Sequence, residues 1–227
     1  MFNFKVVAFL CDVEKFSVRE QDVTKKNEQL NNDLSKVIIA DLPLVGNRTI
    51  PISKEDSFLS ENKRTLYADW MMMYRILQRL NTGERAFILV TKGALVRGNE
   101  SFLRKYFVDN DCVDTVITLP NSIYPNYNSP MNLLIFEKES PSKRKGKILF
   151  IDLNQKETLT EDLIKQVSIM FHEYRAEKEF ARVVNYEEIV SREYILNPQI
   201  YLTDRELLNG QLFMRDIACV IDRDSVF

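Results

Sequence analysis

The chain has 227 residues, of which 45% are hydrophobic and 28% charged, and its net charge is −2. This composition is ordinary for a folded globular domain and argues against disorder along the whole length. No apolar run approaches the roughly 20 residues that a membrane-spanning helix needs, and no cleavage signal follows the apolar residues 6–10. We therefore expect a cytoplasmic protein that makes no contact with a membrane. The slightly acidic charge gives no support for strong nucleic-acid binding by this chain alone.

Cysteine and histidine usage argues against a metal site. Cys11, Cys112 and Cys219 lie far apart and form neither a disulfide framework nor a metal-binding spacing. Such usage is typical of a reducing cytoplasm. The single histidine, His172, lies in a charged stretch with a helical pattern, so we expect it to face solvent and not to act in catalysis.

The first half of the chain contains one clear strand and one clear helix. Residues 36–40 are apolar and β-branched, which is typical of a strand buried on both faces. Residues 46–64 are polar and contain Pro51, and they predict an unusually long loop. Apolar positions from Leu66 to Leu80 recur at intervals of three and four and predict an amphipathic helix, with Gly83 suited to its C-cap.

The second half alternates between strands and helices before a run of strands. Four apolar runs predict strands, over residues 86–90, 113–119, 131–136 and 148–152. Asn99 can cap a helix that reaches Val108, and Thr160 can cap another that continues to about residue 179. The remaining segments predict loops over residues 91–98 and 120–130, a basic turn over 143–147, and short helices over 180–208.

This order of elements predicts an α/β sheet of five to seven strands that is parallel first and gains antiparallel strands late. A single crossover helix joins strands 36–41 and 86–91, so these two should be adjacent and parallel. Strands 113–119 and 131–136 should then be added in antiparallel fashion. We divide the chain into an α/β domain (1–155), a helical C-terminal segment (156–209) and the start of a further segment or tail (210–227).

Three stretches, in this order, carry a resemblance to a known family. They are an apolar strand followed by Asp-Leu-Pro-Leu (37–44), a strand with a Gly-containing loop and an Arg-bearing helix (83–104), and a set of late strands (116–152). Together they resemble the modification subunit of type I restriction–modification systems, an N6-adenine DNA methyltransferase, in its C-terminal part. The resemblance covers about residues 5–205 and implies a partial Rossmann-like class I methyltransferase fold.

The resemblance places a degenerate catalytic motif at Asp41, Pro43 and Leu44. The family has Asn/Asp-Pro-Pro-Phe/Tyr here, and its acidic or amide side chain accepts a bond from the amine of a flipped adenine. Asp41 keeps the acceptor and Pro43 one rigid position, whereas Leu42 replaces the first proline. Leu44 replaces the aromatic residue, whose stacking on the base is worth about 1–3 kcal/mol. A relic of a catalytic loop is favoured over a working one, and an ordinary strand end with a turn is the remaining alternative.

The family's cofactor, S-adenosylmethionine, lacks its expected site. The family binds it with a Gly-rich turn after the first strand, because small residues let the backbone approach closely. The first glycine of this sequence is Gly46, which follows the Asp41 motif. Asp22 resembles the acidic residue beside the cofactor's adenine ring, although a solvated loop aspartate is favoured. We therefore expect that this chain alone does not bind the cofactor.

Two functions follow from the resemblance. The first is a fragment or degenerate form of the methyltransferase subunit that is inactive alone and needs a missing N-terminal segment. The second is a non-catalytic module that packs against a partner subunit. The family implies DNA and a separate specificity subunit as partners.

Two further features keep alternatives open. The basic turn (Lys143, Arg144, Lys145, Lys147) can contact phosphates, but a solvated turn is favoured. The run Met71-Met72-Met73 beside Trp70 can form an adaptable binding surface, but helix core is favoured.

Overall fold

A computed structural model describes residues 35–42, 48–123, 129–138, 143–177 and 180–203. Its main element is a six-stranded sheet in the order β1-β4-β6-β5-β7-β8. The strands are β1 (Ser35–Asp41), β4 (Leu80–Thr91), β5 (Val113–Thr118), β6 (Met131–Glu137), β7 (Lys147–Asp152) and β8 (Ala181–Asn185). A separate antiparallel hairpin consists of β2 (Thr49–Pro51) and β3 (Thr65–Tyr67). The predicted class of fold and number of strands are confirmed.

The helices of the described part differ widely in length. They are α1 (Ser57–Asn62), α2 (Ala68–Arg79), α3 (Lys92–Val96), α4 (Ser101–Asp109), α5 (Glu161–Glu173), α6 (Tyr186–Ser191) and α7 (Pro198–Leu202). Within the described ranges, no helix is long and apolar enough to cross a membrane.

The predicted parallel pair is confirmed. β1 pairs with β4 in parallel, and Asp41 lies opposite Leu89. Helix α2 makes the crossover between them, because its last residue, Arg79, is followed directly by β4. The prediction that β1 is buried on both faces is wrong for the described residues, since Val37 is 57% and Ile39 is 83% exposed. An apolar β-branched run does not by itself distinguish a strand that is covered on both faces from an edge strand with one exposed face.

The late strands follow the prediction in part. β6 is antiparallel to both β4 and β5, as expected. However, β5 runs in the same direction as β4 and pairs with β7 in parallel, so the antiparallel prediction for residues 113–119 holds only for the pairing of β5 with β6. The reason is that β6, although later in the chain, inserts between β4 and β5.

Apolar clusters pack on both faces of the sheet, although Val37 and Ile39 of β1 are exposed. One core cluster contains Trp70 and Met71–Met73 of α2 and Phe107 of α4, packed on side chains of β4, β5 and β6. The other contains Met170 and Phe171 of α5. The methionines are at most 4% exposed, which confirms that they belong to the core and not to a binding surface.

Several predicted boundaries need correction. Helix α2 ends at Arg79, because the fully buried Leu80 already has an extended backbone; Gly83 therefore lies inside β4, although its φ of 77° is left-handed. The predicted loop 46–64 contains β2 and α1, and the predicted loop 91–98 contains α3. Helix α4 is confirmed, but Glu100 and not Asn99 occupies its N-cap position.

The C-terminal part is less helical than predicted. Thr160 caps α5 by accepting a bond from the Leu163 amide, as predicted, but the helix ends at Glu173 where Tyr174 is left-handed. Short helices α6 and α7 occur within residues 180–208, whereas β8 is a strand that pairs with β7. The domain division at residue 155 stays a prediction, and β8 adds a strand of the later segment to the sheet.

Candidate functional site

Four strands end at the same edge of the sheet. β1, β4, β5 and β7 run in one direction, and their last residues are Asp41, Thr91, Thr118 and Asp152. Ligands of open α/β sheets bind outside this end of the strands. We call these four residues and the turns that follow them the carboxyl edge.

Asp41 lies on the carboxyl edge with its side chain exposed. Its predicted position at the end of the strand is confirmed, while its opening into a crevice stays a prediction. The next residue, Leu42, is only 7% exposed and belongs to the core cluster. Burial of Leu42 therefore anchors the end of the strand to the core, so the backbone that carries Asp41 has a defined position. Asp22, Pro43 and Leu44 lie outside the described residues, and their roles stay predictions.

An ion-pair cluster lies behind the carboxyl edge at the start of α2. Arg97 Nη2 donates to Asp69 Oδ1 at 2.7 Å, and Arg97 Nε donates to Glu100 Oε2 at 3.2 Å. The guanidinium lies 4.2 Å from the centroid of the Tyr67 ring. Burial raises the pKa of Glu100, and Arg97 opposes this effect. The cluster joins α2 to the turn before α4. Asp69 and Arg97 are 28 residues apart, so local sequence patterns do not reveal this pair.

The Arg-bearing helix of the sequence resemblance is α4, and its arginine is structural. Arg104 is 1% exposed and donates to the carbonyls of Arg97 at 2.7 Å and Tyr194 at 2.8 Å. Burial lowers its pKa to about 10. The side chain therefore holds the C-terminal segment against α4 and is not available to a ligand.

A polar row crosses three strands of the carboxyl edge. Asn132, Thr118 and Asp152 lie side by side on β6, β5 and β7. Thr118 Oγ1 donates to Asn132 Oδ1 at 2.8 Å, and Asn132 Nδ2 is buried without a hydrogen-bond partner among the described residues. Burial raises the pKa of Asp152, whereas the hydrogen bond from the Asn154 amide and the positive charge of Lys92 act to lower it. The sequence alone does not reveal this row, because single polar residues at strand ends are common.

A cavity of about 310 Å³ opens beside this row, between the turn after β7 and α7. Its walls include Asp152, Lys156, Phe180, Gln199 and Thr203. Lys156 Nζ lies 5.2 Å from the centroid of the Phe180 ring. β7 is four strand spacings from β1, or about 19 Å at 4.8 Å each. This cavity is thus separate from Asp41.

His172 and the basic turn are the remaining sequence candidates. His172 is exposed on α5, and its Nδ1 lies 2.7 Å from the Ser168 carbonyl oxygen, which confirms that it faces solvent. In the basic turn, Lys143 and Lys145 are exposed, but the Arg144 side chain is 11% exposed and donates to Asp114. In the described ranges, no group of three His, Cys, Asp or Glu side chains is arranged to hold a metal ion.

Comparison with known proteins identifies relatives of this chain. Residues 8–209 match the N-6 DNA methylase family. The methylase subunit of the type I restriction enzyme MjaVIII from Methanocaldococcus jannaschii is 33% identical over 150 residues, which are 61% of this chain and 26% of that subunit. The MpnII methylase subunit from Mycoplasma pneumoniae is 26% identical over 183 residues, 76% of this chain and 33% of that subunit. The chain therefore spans about a quarter to a third of these curated relatives.

Solved structures share the fold. The methyltransferase subunit of a type I restriction–modification system from Streptococcus thermophilus has a TM-score of 0.69 at 22% identity, covering 78% of this chain and 40% of that one. The M protein of the type I restriction enzyme EcoKI has a TM-score of 0.60 at 13% identity, covering 84% and 49%. These likenesses confirm the predicted methyltransferase-like α/β fold. The chain thus belongs to the N-6 DNA methylase family, and the curated relatives that it matches are methylase subunits of type I restriction enzymes.

Proposed function

We propose that this chain is a fragment or degenerate form of a type I N6-adenine DNA methyltransferase subunit that presents the target adenine and is inactive alone. The observation that carries this proposal is the place of Asp41 at the end of β1, on the carboxyl edge and directly before the buried Leu42. A carboxylate there can accept a hydrogen bond from the exocyclic amine of a flipped adenine.

The described residues contain no Gly-rich turn directly after a strand, which is the feature with which the family binds S-adenosylmethionine. The family's cofactor needs small residues that expose backbone at the carboxyl edge. Gly83 lies in β4 and Gly146 precedes β7, both at the opposite edge. A Cβ at Gly93 would lie 3.0 Å from Arg97 Nη1, so the space beside this glycine is filled by the protein itself. Gly98 has open space beside it, but it begins a short helical turn after α3 and does not directly follow a strand. We therefore propose that a further polypeptide segment supplies the cofactor site.

Loss of the aromatic at Leu44 is a second deficit. Stacking of a base on an aromatic ring is worth about 1–3 kcal/mol. Its absence would slow methyl transfer by about ten- to a hundredfold, since 1.36 kcal/mol corresponds to a factor of ten. This deficit supports slow turnover even when the cofactor site is supplied.

The edge strand β1 supports a further part that packs against this chain. Among the described residues β1 has a neighbour on one side only, and Val37 and Ile39 are exposed. An exposed apolar edge strand is a surface for association with another polypeptide. The same observation favours the alternative, a non-catalytic module that packs against a partner subunit such as the specificity subunit.

A methyl-transfer assay distinguishes these functions. Tritiated S-adenosylmethionine and adenine-rich duplex DNA are incubated with this chain, with the remainder of a homologous methylase subunit, and with both. We expect N6-methyladenine only in the mixture, and Asp41→Ala to abolish it. The matched control is Glu173→Ala, which removes an exposed carboxylate from the end of α5.

Each outcome has a clear meaning. Methylation by this chain alone, with calorimetric binding of the cofactor, would contradict the proposal. Stable association with the homologous segment without methylation would favour the non-catalytic module. Equal activity of Asp41→Ala and wild type in the mixture would remove Asp41 from the reaction.

A further inference from the structure

The hairpin between β1 and α2 carries a group of cations that have no acidic partner among the residues that the structure describes. We call residues 48–67 the basic hairpin. Arg48, Lys54, Lys63 and Arg64 are exposed, and in the part of the chain that the structure describes none of these side chains takes part in an ion pair or hydrogen bond. Elsewhere in those ranges every arginine except Arg79 either donates a hydrogen bond to a carboxylate or carbonyl or forms an ion pair with a carboxylate; these arginines are Arg75, Arg85, Arg97, Arg104, Arg144, Arg175, Arg182 and Arg192.

The basic hairpin is held firmly on the domain. The Ala68 amide donates to the Arg48 carbonyl at 3.0 Å, and the Ile52 amide donates to the Arg64 carbonyl at 2.9 Å. Beneath it, Arg75 of α2 donates two bonds of 2.6 Å to the buried Asp56. The cations therefore project from a fixed platform, which lowers the entropy lost when they bind a ligand.

Its position relates it to Asp41. The chain enters the hairpin after β1 and leaves it directly into α2, whose far end leads into the start of β4. The hairpin thus lies at the carboxyl edge, which is the edge of the sheet at which Asp41 also lies. Its exposed acids are Glu55 and Glu61, whereas the charge of Asp56 is matched by Arg75.

We propose that the basic hairpin binds the phosphate backbone of duplex DNA beside the base that is presented to Asp41. This inference rests on the proposed function for the identity of the polyanion. Arginine binds phosphate oxygens through parallel N–H donors, and a cation already held by a carboxylate is a poor phosphate ligand. Arg48 and Arg64 are accordingly the residues that carry the contact.

A salt series of DNA affinities tests this. The full chain is titrated into a fluorescein-labelled duplex, and anisotropy gives the dissociation constant at each salt concentration. Arg48→Gln/Arg64→Gln removes two phosphate contacts, so the slope of log affinity against log salt concentration should fall in magnitude by about 1.8. The affinity at low salt should fall on the order of tenfold. The control Lys143→Gln/Lys145→Gln removes the same charge from the opposite edge and should leave both quantities nearly unchanged.

The outcomes separate this inference from the proposed function, because DNA binding is measured without cofactor or partner. Arg48→Lys/Arg64→Lys keeps the charges and should keep most of the slope, while thermal unfolding checks that each variant is folded. Equal losses in the hairpin and control variants, or no binding by wild type, would overturn the inference. A normal salt effect combined with failed methylation in the reconstituted mixture would overturn only the proposed function.

Discussion

The buried ion pair between Asp114 and Arg144 is expected to be a major determinant of stability. The Asp114 side chain is fully buried, that of Arg144 is 11% exposed, and Nη1 donates to the two carboxylate oxygens at 3.0 and 3.1 Å. Arg144 also donates to the Phe171 carbonyl, so it ties the turn before β7 to the end of α5. Asp114→Ala leaves the guanidinium buried without its counter-charge and removes the acceptor of the Thr115 hydroxyl.

Removing one partner of a buried pair costs about 3–5 kcal/mol. For a domain of this size, each kcal/mol lowers the melting temperature by about 2–4 °C, so Asp114→Ala should melt roughly 6–20 °C lower. Urea unfolding gives the free energy directly. The control Lys145→Ala, in the same turn but exposed, should lie within about 0.5 kcal/mol of wild type.

The double variant Asp114→Ala/Arg144→Ala tests the physical reason. Because it leaves no unpaired charge, its loss should be smaller than the sum of the two single losses by at least about 1 kcal/mol. A loss below about 1 kcal/mol in Asp114→Ala, or strict additivity in the cycle, would refute the reasoning. Arg144 would then behave as the solvated or phosphate-binding residue that the basic turn predicts.

Two further substitutions test local features. Burial raises the pKa of Asp152 above its ordinary 3.8, so the folded state binds this proton more tightly than the unfolded state. The contribution of Asp152 to stability therefore falls as pH rises from the ordinary pKa to the raised pKa of the folded state. Asp152→Asn should therefore unfold at higher urea concentration than wild type at neutral pH, and a gain that persists unchanged below the ordinary pKa would contradict this cause. Thr160→Ala should cost about 1 kcal/mol through loss of the N-cap of α5, whereas Thr160→Ser should retain most of it; equal urea midpoints for all three proteins would show that the cap contributes nothing.

Local periodicity was sufficient to predict the parts of the fold that depend on short-range burial. The apolar run before Asp41 and the run that ends at Thr91 are adjacent parallel strands, because a single amphipathic helix can join them in only one common way. The three- and four-residue spacing around Trp70 and Met73 placed these side chains in the core. The motif at residues 37–44 likewise placed Asp41 at a strand end.

Tertiary structure decided what depends on distant partners. The insertion of β6 between β4 and β5 follows from hydrogen bonding between whole strands, which the pattern of a single strand does not encode. The partner of Arg144 lies 30 residues away, so its sequence neighbours suggested a solvated turn. The same holds for Arg48 and Arg64, because only the folded chain shows which cations have a carboxylate within reach and, among the described residues, which have none. By itself, the sequence determined the family, the parallel pair and the place of Asp41, because these depend on local burial and motif. The folded chain alone decided strand order and charge pairing, because these depend on contacts between residues that are distant in sequence.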